Sequence, residues 1–118
     1  MAAYKLITAL KEEVNVPIHL HTHDTSGNGV ATVLMAAQAG VDIVDAAFNS
    51  MSGLTSQPAL NSIVSALENS SLETGIDVDG IQNIGRMSDQ FMQILNLISR
   101  PLRLRYINTK YRVVSIQT

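Results

Sequence analysis

Apolar residues recur at Leu6, Ile7, Leu10 and Val14, while Lys11, Glu12 and Glu13 take the opposite side. That three-and-four spacing predicts an amphipathic helix over about Ala2 to Glu13. Asn15-Val16-Pro17 stops it, and Pro17 suits the first residue of a strand, where a missing N–H costs little. Along the predicted strand Pro17 to Thr22, alternate side chains point to opposite faces. Ile18, Leu20 and Thr22 therefore share one side, and His19, His21 and His23 the other. Thr25 and Ser26 are N-cap candidates for a helix from about Asn28 to Gln38. Its stretch Val30 to Ala37 is apolar nearly all round, which predicts close packing on several sides. Gly40 ends it. Val41 to Ala47 reads as a second strand and Asn49 to Gln57 as a loop rich in Ser and Gly. Pro58 marks a helix start, followed by the apolar stripe Leu60, Ile63, Val64 and Leu67.

Helix, strand, helix, strand, helix at this spacing predicts parallel strands joined by helical crossovers, an α/β fold class. Two strands cannot bury both helix layers, and a complete eight-unit barrel takes about 250 residues. At 118 residues, the chain reads as part of something larger. From Arg86 its character changes. Phe91, Ile94, Leu95 and Ile98 keep helical spacing, whereas Arg103 to Tyr106 and Tyr111 to Val114 alternate like strands around Asn108-Thr109, with Pro101 as the divider.

Composition narrows the chemistry. The chain is 46% hydrophobic and 15% charged, too apolar for wholesale disorder, and no apolar run approaches a membrane span. With no cysteine, disulfides, thiolate metal sites and cysteine nucleophiles are excluded. The N-terminus lacks a basic region followed by a long apolar core, so a cytoplasmic location is expected. Net charge is −2, yet of the 8 Lys and Arg only Lys5 and Lys11 precede Arg86, while Asp89 is the sole acidic residue beyond it. The body is acidic and the tail basic.

Chemistry concentrates in His19-Leu20-His21-Thr22-His23-Asp24. A metal–nitrogen bond is only about 2.0 to 2.1 Å, so rings two positions apart can tilt onto one divalent cation just past the strand end. His21 and His23, nearest the turn, are the better pair. They supply half of a tetrahedral shell, and imidazole with oxygen ligands suits zinc or manganese alike. The alternative is a pair of ordinary strand-end histidines satisfied by backbone or water. Asp42 and Asp45 fall on opposite faces of their strand and cannot act as a paired acid and base.

Leu20 to Gly29 (LHTHDTSGNG) together with Ser50 to Pro58 (SMSGLTSQP) resembles the carboxyltransferase domain of the pyruvate carboxylase family, over residues 2–86 and at the intervening distance that family uses. The resemblance implies a (β/α)₈ TIM barrel with its site at the C-terminal strand ends, here about two βα units and a preceding helix. It implies His21 and His23 as ligands of a divalent metal, manganese or zinc, and His19 as a residue lining the barrel. Asp24 is open to two readings, a hydrogen bond to a ligand ring or a turn cap. The reaction implied moves a carboxyl group from carboxybiotin to pyruvate, giving oxaloacetate. The resemblance further implies ATP and biotin, handled in that family on domains outside the matching stretch, and a homo-oligomeric whole enzyme. The family's other ligands, an Asp and a carbamylated Lys, have no counterpart here, so a fragment inactive alone is expected. Biotin-dependent decarboxylases, transcarboxylases and acyl-CoA lyases with metal-dependent barrels are similar and form the alternative.

Residues 87–118 depart from that family. Read from the third base of each codon, allowed codons from Ser88 onward can spell Arg-Pro-Val-Tyr-Ala-Asp-Phe-Glu-Ser-Asp and, from the codons of Leu104 to Thr118, Glu-Ile-Tyr-Lys-Tyr-Glu-Ile-Pro-Gly-Gly-Gln-Tyr-Ser-Asn, which resembles the family again. A frameshift near Arg86 or Met87 is therefore expected. The alternating Arg, Leu and Tyr from Arg100 to Arg112 offer a second reading, a ribbon for phosphates. A shifted frame makes that charge accidental, so neither nucleic acid nor membrane is an expected partner.

Overall fold

The computed structural model describes residues 2–98. Helix α1 (Ala2–Glu13) leads into strand β1 (His19–Leu20), helix α2 (Gly29–Gln38) and strand β2 (Ile43–Val44). A 3₁₀ turn (Asn49–Met51), helix α3 (Leu60–Leu67) and helix α4 (Val78–Ile98) follow. The two strands pair in parallel, with His19 opposite Ile43 and Leu20 opposite Val44. This is a small α/β unit of four helices and two strands among the described residues.

Both strands are shorter than their apolar runs predict, because each segment changes partner beyond this register. Ile18 C=O accepts from the Asp42 and Ile43 N–H groups, both at 3.1 Å, and Leu20 C=O accepts from Asp45 N–H at 3.1 Å. Further on, Asp24 N–H donates to Ser56 C=O (2.8 Å), and Ala47 pairs instead with the segment around Ala59. Parity along β1 is as the alternation predicts. Ile18 is buried and Leu20 and Thr22 half-buried, while His19, His21 and His23 are exposed.

The apolar face of β1 meets the helices. Ile7 of α1, Ile18 and Ala36 of α2 form a buried cluster, with Ala3, Leu20, Ala39 and Val41 packed on it. Val33 of α2, Ile63 and Val64 of α3 and Ile81 of α4 are also buried. Helices α1, α2, α3 and α4 each pack against the next in sequence.

Helix α2 ends as Gly40 predicts. Gly40 sits at φ 89°, its N–H donates to Ala37 C=O (3.0 Å), and Val41 N–H reaches back to Ala36 C=O (3.1 Å). This is the double closure of a Schellman motif. Its start differs from the expectation of a Thr25 or Ser26 cap. Asn28 occupies the cap position without a side-chain bond, and the Asp24 carboxylate accepts the Gly29 N–H at 2.6 Å. Asp24 thus takes the turn-cap role. Pro58 also differs, lying two residues before α3 and buried against Gly29.

The helical spacing around Phe91 belongs to α4, which runs through Arg86 and Met87 without a break. The strand-like segments Arg103 to Tyr106 and Tyr111 to Val114 lie outside the described residues. No described helix is long and apolar enough to cross a membrane.

Candidate metal centre

His21 and His23 leave the C-terminal end of β1 on its exposed face. Their rings stand edge to face, with centroids 5.1 Å apart and planes at 78°, and their Nε2 atoms approach to 3.3 Å. Each opposite nitrogen has a partner of fixed character. His21 Nδ1 lies 2.5 Å from Asp45 Oδ2, and His23 Nδ1 lies 2.7 Å from the Thr55 carbonyl oxygen. An ionised carboxylate and a backbone carbonyl only accept, so both rings donate from Nδ1. In the neutral ring the lone pair then sits on Nε2. Two lone pairs meet at 3.3 Å with no proton assigned to the gap between them.

That arrangement fits a cation. Two imidazole nitrogens bound to one tetrahedral ion at about 2.0 to 2.1 Å stand about 3.3 to 3.4 Å from each other. Ligand histidines characteristically donate their other N–H to a carboxylate or a backbone carbonyl, as both rings do here. Among the described residues, no group of three or more histidine and acidic side chains is disposed to hold a metal ion. The two Nε2 atoms are the donors that His21 and His23 bring to one point.

The supports come from β2 and the loop after it. The Asp45 N–H bond to Leu20 C=O sets Asp45 just past the end of β2, where one carboxylate oxygen meets His21 and the other, Oδ1, lies 2.7 Å from His19 Nε2. The His21 bond first, then the His19 bond, hold the Asp45 carboxyl below the ordinary carboxylate range. Thr55 sits in a turn closed by Gly53 N–H to Gln57 C=O (2.9 Å) and Ser56 N–H to Gly53 C=O (2.9 Å). Leu54 in that turn is held at φ 53°, a left-handed conformation that costs a side chain about 1 to 2 kcal/mol. The neighbouring peptide presents its carbonyl to His23.

Sequence spacing locates His21 and His23 as neighbours but not their supports. Asp42 and Asp45 do separate, as their parity predicts. Asp42 faces Lys11 and the Ile18 N–H, whereas Asp45 faces the histidines. Nothing in the sequence states the register that brings Asp45 to His21. A signal lay in the shared parity of Ile43 and Asp45, which becomes useful once the strands are taken as paired.

The chain belongs to the HMGL-like family, whose model matches residues 1–87. Within it, the chain is similar to pyruvate carboxylase and to that enzyme's carboxyl transferase domain. It is 54% identical over 83 residues to pyruvate carboxylase of Staphylococcus aureus, covering 70% of this chain and 7% of the relative. With that of Aspergillus terreus, identity is 41% over 101 residues, 85% of this chain and 8% of the relative. The carboxyl transferase domain of Rhizobium etli pyruvate carboxylase, solved with pyruvate and biocytin, superposes with a TM-score of 0.73 at 52% identity. That likeness covers 75% of this chain and 15% of the solved one. Family and structural likeness together make the α/β unit a fragment of a TIM barrel.

Proposed function

We propose that this chain is a piece of a biotin-dependent carboxyltransferase barrel, in which His21 and His23 hold the divalent cation of a site that carboxylates pyruvate. The observation that carries the reading is the 3.3 Å approach of two Nε2 atoms whose opposite nitrogens are both committed as donors. The Rhizobium etli domain binds pyruvate and biocytin in its solved structure, which supports pyruvate and carboxybiotin as the substrates of the parent site. Manganese or zinc suits the donor set. When bound there, such a cation supplies charge stabilisation for an enolate oxygen.

The chain's own residues prepare that position. His21 and His23 aim lone pairs at one point, Asp45 fixes the first ring and the Thr55 carbonyl the second. Both sit at the C-terminal end of β1, where barrel active sites are built. Two nitrogens leave half of a tetrahedral shell to other groups, so the chain alone binds metal weakly and has no carboxyl transfer of its own.

Isothermal titration of the full chain with Mn²⁺ and with Zn²⁺ tests the reading. One weak equivalent is expected, lost in His21→Ala and in His23→Ala while circular dichroism stays unchanged. Binding that survives both substitutions overturns the assignment.

A further inference from the structure

His19 shares a carboxylate with His21, yet the cation pair gives it no task. We propose that His19 and Asp45 are positioning residues that together set the tautomer and ring orientation of His21 for the ion. The inference rests on the reading of His21 and His23 as the cation pair.

The chemistry starts from the carboxylate, which only accepts. Both rings must donate to Asp45, His19 through Nε2–H to Oδ1 at 2.7 Å and His21 through Nδ1–H to Oδ2 at 2.5 Å. Strand alternation puts His19 and His21, two residues apart, on one face, and the Asp45 N–H bond to Leu20 C=O brings the Asp45 carboxylate between them. An aspartate carboxyl turns broadly about its last torsion. Held by His21 alone it could swing, and His21 would swing with it. The second donor on Oδ1 fixes the carboxyl plane.

Packing does not do this work. The side chains of His19 and His21 are 52% and 54% exposed, so neighbouring atoms leave the rings room to rotate. The hydrogen-bond chain from His19 through Asp45 to His21 is what turns His21 Nε2 toward His23. His19 thereby acts on a cation it does not meet.

Long-range ¹H–¹⁵N spectra of the metal-free full chain read the tautomers directly, at about pH 8 where imidazoles are ordinarily neutral. His21 is expected in the Nδ1–H form and His19 in the Nε2–H form. His19→Leu should mix the His21 tautomers, while His19→Gln, which keeps an N–H donor, should preserve them. Asp45→Asn, which swaps one acceptor oxygen for a donor, should mix them too and carries the comparison if His19→Leu fails to fold. In metal titrations, His19→Leu should weaken binding about tenfold or more and His19→Gln restore it, the range seen when a group behind a ligand is lost.

A wild-type His21 in the Nε2–H form overturns the proposal, as does a His21 tautomer indifferent to His19→Leu in a folded chain, or indifferent to Asp45→Asn. Absence of metal binding by the wild-type chain overturns the cation reading instead, and the tautomer spectra still decide the positioning role.

Discussion

Asp42 and Asp45 stand three positions apart, and parity sends them to unrelated tasks. Asp42 accepts Lys11 Nζ at 2.5 Å and the Ile18 N–H at 2.7 Å, tying α1 and β2 to the entry of β1. The Ile18 bond first, then Lys11, hold its carboxyl below the ordinary value of 3.8. A carboxyl with a depressed folded value stabilises the fold above its unfolded value and loses that contribution as pH falls through the folded one. Urea midpoints should therefore drop as the chain is taken from pH 7 to below about 4. Asp42→Asn should lower the midpoint at pH 7 and flatten that part of the acid limb. The loss is modest because both partners are about a third exposed. An acid limb identical in wild type and Asp42→Asn would remove Asp42 from the account. At this scale the sequence made the histidine parity legible, since period-2 alternation needs no knowledge of neighbours. The roles of Asp42 and Asp45 were not legible, because they depend on which rung of β1 each residue faces.

At the scale of elements, α2 shows how a glycine's place decides the sign of a substitution. A Cβ on Gly29 would lie 2.6 Å from Pro58 Cγ and 2.8 Å from Asp24 Oδ1. Gly29→Ala must push Pro58 or break the cap, at a cost of about 1 to 3 kcal/mol for an overpacked contact. Gly85, within α4, has no such atom within 4 Å. There Gly85→Ala should stabilise by about 0.5 to 1 kcal/mol, because the chain loses less freedom on folding. Opposite shifts of the denaturation midpoint are expected, and a Gly29→Ala chain as stable as wild type would contradict the close approach. The ends of α2 were unevenly readable. Gly40 announced its stop through a backbone requirement that belongs to one residue. Its start is not capped by Thr25 or Ser26, since the acceptor in use, Asp24, lies five residues before the N–H it caps.

Over the whole molecule, α4 sets the limit on what the fold can bury. Ile81 and Gly85 are buried, with Val78, Ser88 and Met92 half-buried, and this stripe faces the rest of the chain. At about 100° per residue, Ile84, Met87, Phe91 and Ile94 form a second stripe roughly a third of a turn away. All four are exposed, Met87 at 71%. Helical spacing is legible at Phe91, Ile94, Leu95 and Ile98 but cannot say which of two apolar stripes finds a partner; among the described elements, α3 and the 3₁₀ turn meet α4. A contiguous apolar stripe in water binds whatever apolar matter is offered. The chain should therefore enhance the fluorescence of 8-anilinonaphthalene-1-sulfonate while keeping a cooperative thermal transition. Replacing Met87 and Phe91 together by Gln should cut that enhancement without lowering Tm, because neither side chain belongs to the buried stripe. A fall in Tm of several degrees would place them in the folded core, and the division of α4 into a covered and an uncovered face would have to be abandoned.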